Sequence, residues 1–343
     1  MDAIVVGGGI IGCSIAWRLA QRGLSVSLFE RATLGAEATG ASAGMLAPGG
    51  EYESDSPWAR LALRSLRMYP EFVAELTEAG NVEIDYRACG SIEAAYSPAE
   101  WSALQSKAAA QKALGIRSQP ASPDAARLLN RSAAGAMFYP DEAAVDPRHL
   151  TAALREACAK AGVALHECTE IASIVPLAEG VEAITPDGPI RARTAVLAAG
   201  AWSGAFGFGA PTQPARGHLA GYYLQPGAIG PILRHGHTYI LQRTNGFTIA
   251  GATEERIGFA RGVNPECIAD IRTRAAELCP IFGGLVPDTV WSGLRPACEP
   301  GPELRRVGGT DLWLAYGHYR NGILLAPVTA KLIADSIAAS ALR

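Results

Sequence analysis

Apolar positions follow two rhythms along the chain, a helical one and a strand-like one, and their alternation predicts the order of elements. Ile4-Val5-Val6 is a short continuous apolar run, Gly7 to Gly12 is a glycine turn, and an apolar-periodic helix follows before a second apolar run that ends at Glu30. The segment Thr39 to Gly50 is a loop of small residues, too rich in glycine and alanine for a packed helix. Trp58 to Ala79 has helical spacing, and Val82 to Tyr96 alternates like strands. Ala99 to Ala113 and Pro123 to Asn130 read as solvated helices, and Asp146-Pro147 caps a helix from Arg148 to Ala161. Val163 to His166, Ile171 to Val175, Gly180 to Ile184 and Ile190 to Arg193 read as strands of a small antiparallel meander, turning at Asp187-Gly188. Thr194 to Ser203 is a buried strand that ends in small residues.

From Gly217 to Ala250 the alternation builds a second antiparallel sheet, with a turn at Asn245-Gly246. Ile268 to Cys279 is a helix stopped by Pro280, and Val290 to Pro296 is a strand carrying Arg295 near its end. Leu312 to Pro327 leads from a strand through a polar turn into a helix that is apolar from its first residue. The changes of rhythm predict two domains whose segments interleave along the chain.

The first thirty residues carry the clearest chemistry. Strand, glycine turn, helix and a second strand tipped by a carboxylate form a dinucleotide-binding βαβ unit. In it Gly7 permits the tight turn, Gly9 lets backbone approach a pyrophosphate, and Gly12 lets the helix close on the strand, while Glu30 accepts from a ribose. The plainer alternative is a glycine turn between strand and helix. The last helix has two readings as well: its start is buried against a sheet, or its positive dipole end faces an electron-rich ring.

With 343 residues, 49% of them hydrophobic, the chain has material for a sizeable core, and its net charge of −3 with scattered basic residues argues against nucleic acid. The N-terminal apolar stretch is used up by the nucleotide motif, so neither a signal peptide nor a membrane span is expected, and a cytoplasmic location is the default. Seven cysteines without a C-x-x-C pair or zinc-like histidine spacing read as thiols in a reducing compartment, with no metal site.

Taken together, Gly7 to Gly12, Ala43 to Leu46, Val145-Asp146-Pro147, Ala199 to Ser203, Pro214 to Gly217, His237-Thr238-Tyr239, Gly293 to Pro296 and Gly317 to Pro327 resemble a known family across nearly the whole chain. It is the FAD-dependent amine and D-amino-acid oxidases, and within them the glycine oxidases of bacterial thiamine biosynthesis. The resemblance implies an α/β chain, α+β overall, with a Rossmann-type FAD-binding domain at 1–78, 142–214 and 296–343. An interleaved antiparallel-sheet substrate domain takes up 79–141 and 215–295. Family members oxidise glycine or small D-amino acids by passing hydride to flavin N5, then use molecular oxygen to give hydrogen peroxide and an imino acid. Some are homo-oligomers.

By the same resemblance FAD meets Gly7, Gly9, Ile10, Ile11 and Gly12 of the first turn, and Glu30 and Arg31 after the second strand. It also meets Ala38, Thr39, Ala43, Gly44 and Met45 of the small-residue loop, and Ile171 at the adenine. The run His318, Tyr319, Asn321, Gly322, Ile323 and Leu324 lines the flavin. For the substrate, a guanidinium fork matches a carboxylate, and Arg295 and Arg320 sit in apolar or glycine-rich sequence where an unpaired charge is costly. Arg295 is the expected clamp and Arg320 a second contact, with Tyr239 donating a phenolic hydrogen bond; the alternatives are surface arginines and a core tyrosine. No general base is needed if the amine arrives neutral, so His237 and His318 are positioned or solvated histidines.

Two departures from the family pattern stand out. After Arg295-Pro296 the family shows a threonine and an Asp-Gly turn before an Ile-Gly, where this chain has Ala297 to Gly308 without them. Within that stretch Cys298 lies three residues beyond Arg295, away from the place where related sarcosine oxidases attach flavin. Glu254 stands where relatives hold substrate side chains, as a solvated loop acid or as a group that favours an amine-bearing side chain. Two other readings of the whole chain are an amine dehydrogenase that uses another acceptor, and a non-catalytic FAD-binding subunit.

Overall fold

The computed structural model describes residues 1–341; the last two residues of the C-terminal segment fall outside the described residues. A six-stranded sheet runs in the order Glu303–Arg306 (β19), Leu312–Tyr316 (β20), Thr194–Leu197 (β13), Ala3–Val6 (β1), Val26–Phe29 (β2) and Ala164–His166 (β9). All neighbours are parallel except β19 and β20. The central strands β1, β2 and β13 are buried at every position, which is why they read as unbroken apolar runs rather than alternating ones.

Four helices cover one face: Ile10–Ala20 (α1), Pro57–Gly80 (α4), Pro147–Lys160 (α7) and Gly322–Ala341 (α9). α1 is wedged between α7 and α9, and α4 packs on both of these. The starts of α4 and α7 are fixed by their sequence. The Ser56 side chain accepts from the Ala59 N–H at 3.1 Å and Asp146 from the Arg148 N–H at 2.8 Å, each ahead of a proline that needs no donor. α9 is long and apolar enough to cross a bilayer, but 61% of its most apolar window is buried inside the protein, which makes it a core helix.

The second sheet has eight strands in the order Thr289–Ala297 (β18), Gln213–Tyr223 (β14), Phe247–Gly251 (β17), Thr238–Gln242 (β16), Ile232–His235 (β15), Ser91–Ala95 (β5), Gly135–Tyr139 (β7) and Gln119–Pro120 (β6). Every pairing is antiparallel except β15 with β5, where two distant chain segments meet. Helix Pro265–Leu278 (α8) covers one face, while Leu219, Tyr239, Leu241 and Ile249 pack on the other beside Ala43. Helices Pro98–Lys112 (α5) and Pro123–Ala126 (α6) flank the far end.

A small sheet of Met45–Leu46 (β3), Ala143–Val145 (β8) and Tyr86–Arg87 (β4) ties the two large ones together, and Ser173–Pro176 (β10), Val181–Thr185 (β11) and Gly188–Ala192 (β12) form a separate meander. Across the β15–β5 seam, buried Arg234 pairs with Glu142 at 2.8 Å and Glu93 at 3.1 Å. Glu142 also accepts from the Gly49 N–H at 2.6 Å, which anchors the short helix Pro48–Glu51 (α3).

Several expectations need correction. The small-residue segment is not all loop: it forms the single-turn helix Ala38–Ala41 (α2), then β3 and α3, because its glycines fit under neighbouring backbone. Residues 163–166 leave the meander and pair with β2, since their side chains continue the parallel sheet. β19 is not foreseen in the sequence, because Arg305 and Arg306 mask its strand pattern. The helix expected at 123–130 is one turn, Pro123–Ala126. Ile171 precedes β10 rather than lying in a strand.

Candidate active site

A cavity of about 1110 Å³ opens between the C-terminal ends of β1, β2 and β13 and the inner face of the eight-stranded sheet. Ligands of open α/β sheets bind in this position, outside the carboxyl ends of the strands. Gly7, with φ +107°, turns the chain out of β1, and a Cβ there would stand 2.4 Å from the Ala198 oxygen. At Gly9 the only neighbour of such a Cβ would be the Thr39 hydroxyl at 3.3 Å, leaving an open cradle at the start of α1. Gly200, with φ +55°, is also open on the cavity side. Glu30 takes the Gly8 N–H at 2.8 Å and the Ala32 N–H at 2.9 Å, which holds its carboxylate at the rim. Arg31 lies 3.6 Å over the Trp202 ring and pairs with Glu37 at 3.0 Å. An elongated cleft with a glycine cradle at one end and a half-buried carboxylate beside it fits a dinucleotide cofactor.

Gly7, Gly9, Ile10, Ile11, Glu30, Arg31, Ala38, Thr39, Ala43, Gly44, Met45, Ile171, His318, Tyr319, Gly322 and Ile323 all line this one cavity, as do Arg295, Arg320 and Tyr239. Three of the expected contacts do not. Gly12 lies in the first turn of α1, where a Cβ would stand 1.9 Å from the Gly7 oxygen, so its role is close packing of helix on strand. Asn321 donates its N–H to the His318 carbonyl at 2.9 Å within a short helical turn, and Leu324, in the first turn of α9, is turned into the core. Cys298 is also outside the cavity, packed against Gly317.

The charges in the wall are almost all paired. Arg31 has Glu37, Arg256 has Glu254 at 3.3 Å, Arg274 has Asp270 at 2.7 Å and Arg320 has Glu51 at 3.1 Å. Among the described residues Arg295 alone of the cavity arginines has no carboxylate; its Nη1 donates to the Thr253 carbonyl at 3.0 Å. Tyr239 lies buried nearby, and burial raises its phenol pKa against the opposing pull of Arg295 and Arg320, so it stays a donor. Glu254 is exposed, as a solvated loop acid is, and it also accepts from the Tyr319 hydroxyl, which, with Arg256 and Arg295, holds its carboxyl below the usual range. His318 is fully buried and faces the Thr329 hydroxyl at 3.1 Å, and burial pushes its pKa down to about 3, leaving it neutral.

Glu51, Arg256, Arg274 and Asp270 escaped the sequence reading. The i, i+4 spacing of Asp270 and Arg274 on α8, and the closeness of Arg256 to Glu254, are local signals. Glu51 gains its meaning only from Arg320, far away in sequence. His218, Glu255 and Cys267 cluster within metal-ligand reach, but His218 Nε2 accepts the Asn264 N–H at 3.0 Å and Glu255 pairs with Arg216 at 2.9 Å, so their donors are already taken.

The model of the family described as FAD dependent oxidoreductase matches residues 2–336. The chain is 33% identical to the glycine oxidase of Geobacillus kaustophilus, over 98% of this chain and 92% of that one. It is also 33% identical to the bifunctional protein ThiO/ThiG of Synechocystis sp., over 98% of this chain but 51% of that one. The crystal structure of the Geobacillus kaustophilus glycine oxidase superposes with a TM-score of 0.92 at 32% identity, covering 98% of this chain and 94% of that one.

Proposed function

The chain belongs to the FAD dependent oxidoreductase family, and from that premise we propose that it oxidises glycine or a small D-amino acid at the amine-bearing carbon. FAD, when bound, supplies the acceptor for the electron pair leaving that carbon, and molecular oxygen carries the pair on to hydrogen peroxide. The observation that carries the reading is Arg295, the one cavity guanidinium left without a carboxylate partner among the described residues. A half-buried cation that faces a cavity without a carboxylate beside it is matched by an anion from the ligand, and the α-carboxylate of an amino acid supplies it.

Arg295 holds the carboxylate and Tyr239 donates to it, which fixes the amine-bearing carbon relative to the run 317–323. Arg320 adds a second, weaker contact because Glu51 shares its charge. Met45 and Leu219 supply apolar wall that excludes water from the reacting end. No side chain is asked to remove a proton from carbon; the substrate amine is neutral when it reacts.

FAD would be held by Gly7, Gly9, Ile10, Ile11, Glu30, Arg31, Ala38, Thr39, Ala43, Gly44 and Ile171, with His318, Tyr319, Gly322 and Ile323 at the ring. We place the FAD-binding domain at 1–78, 142–214 and 296–343 and the substrate domain at 79–141 and 215–295. The six-stranded sheet draws only on the first set of segments, and the eight-stranded sheet overruns the second by two residues at each end, Gln213–Pro214 and Pro296–Ala297. Supply of an imino acid for the thiazole of thiamine is the physiological role we favour, with the ThiO/ThiG relative as its support. The cytoplasm suits seven free thiols.

Anaerobic mixing of the yellow holoprotein with glycine, sarcosine, D-alanine and D-proline tests the reading. Loss of flavin colour with one of them, restored by air with release of peroxide, is expected. Colour that none of them removes refutes it, and colour lost but not restored by air assigns a different acceptor.

A further inference from the structure

Glu254 follows Thr253, whose carbonyl accepts from Arg295, so its carboxylate stands beside the clamp in the same cavity wall. Two contacts hold it there. The Tyr319 hydroxyl donates to Oε2 from the 317–323 run, and Arg256 approaches Oε1 at 3.3 Å. Arg256 is itself divided, giving Nη1 to Gln213 at 3.1 Å. The remaining cavity cations are neutralised by Glu37, Asp270 and Glu51. A ligand with one carboxylate therefore finds one free guanidinium, whereas a second carboxylate finds none and meets a fixed anion.

We propose that Glu254 determines substrate charge, barring amino acids that carry a second carboxylate from this site. This rests on the amino-acid oxidase reading above. The physical basis is repulsion between like charges at the open side of the cleft: Glu254 is exposed, and the Tyr319 hydroxyl and Arg256 hold its carboxylate at the cavity wall. A neutral side chain meets no such penalty, and a cationic one gains.

The test uses binding to the holoenzyme, followed through the flavin absorbance, with two acids that lack an amine to oxidise: glycolate and D-malate, which is glycolate bearing an added carboxymethyl group. In the unchanged protein D-malate is expected to bind at least about tenfold more weakly than glycolate. Glu254→Gln lowers that ratio of dissociation constants about tenfold. Arg256→Gln, which leaves the Tyr319 contact in place and strips the partial neutralisation from Glu254, raises it. A charge filter is the arrangement that moves the two variants in opposite directions; a purely structural Glu254 does not. Equal affinity for the two acids in the unchanged protein, a ratio that stays within twofold in Glu254→Gln, or a fall in Arg256→Gln overturns the proposal. If glycine fails to reduce the flavin while the ratios behave as stated, the oxidase reading fails and the charge filter stands.

Discussion

Replacing Gly217 by alanine probes the clamp without touching it. Gly217 lies in β14 opposite Gly293 of β18, two residues from the Ala215–Arg295 pair, and the Arg295 head lies across its bare backbone. An added Cβ would stand 2.2, 2.3 and 2.4 Å from Nη1, Nη2 and Cζ of Arg295. Ordinary carbon contacts need about 3.5 Å, so the guanidinium has to retreat by roughly 1 Å or more. A displacement of that size at a positioning group costs about 100-fold in rate. The same figure follows from losing one charge-assisted hydrogen bond, up to about 3 kcal/mol, converted at tenfold per 1.4 kcal/mol.

Stability should barely change, because the obstructing atoms are the free end of a flexible side chain and alanine suits an extended strand better than glycine. Gly293→Ala supplies the contrast, since its Cβ would meet that of Ala41 at 2.5 Å and press on α2 directly. The assay is steady-state kcat/KM for the best amino acid beside the thermal midpoint of the holoprotein. If Gly217→Ala keeps kcat/KM within threefold of the unchanged protein, Arg295 does not hold the substrate where the geometry puts it.

Arg320→Ala should raise KM about tenfold and Arg295→Ala by considerably more, because only the former is already shared with a carboxylate; equal losses would contradict that ranking. Glu142→Ala should destabilise the protein by about 3–5 kcal/mol in denaturant unfolding, since it strips a partner from the buried Arg234. His318 should make the protein acid-sensitive. Its folded pKa of about 3 lies below the ordinary 6.5, so the unfolded chain binds the extra proton, and stability is full above pH 6.5 and lost as pH falls toward 3. Between pH 6 and 5 the slope should approach about 1.4 kcal/mol per pH unit and shrink by one proton in His318→Gln. Acid precipitation should release all flavin into the supernatant, since Cys298 lies outside the cavity; retained colour in the pellet would show a covalent link.

The nucleotide end of the site was legible because its signals are local: β1, the glycines, α1 and Glu30 fall within thirty residues and each carries its own geometric reason. The substrate end was half legible. Arg295, Arg320 and Tyr239 stand out as polar residues in apolar surroundings, yet the partners that set the value of the two arginines come from α3 and the 253–256 turn, which no short-range pattern connects to them. For the same reason β15 has no clear pattern of its own within the sheet read over 217–250: Arg234 spoils its apolar run and is tolerated because Glu93 and Glu142 arrive from another segment. Asn321 and Leu324 show the opposite error. A motif contiguous in sequence becomes a turn and a helix, and helical geometry points neighbouring side chains in different directions.

The order of strands in the six-stranded sheet sets a timetable for biogenesis. β1 is made before the other strands of this sheet, but its neighbour β13 follows nearly two hundred residues later, and β20 and α9, which complete the sheet and cover α1, come after residue 311. The glycine cradle is therefore made early and roofed late. Loading of the flavin must wait until the whole described chain has emerged, and a nascent chain stalled before β20 would leave α1, buried on nearly every side in the finished protein, as an open hydrophobic surface for chaperones to shield.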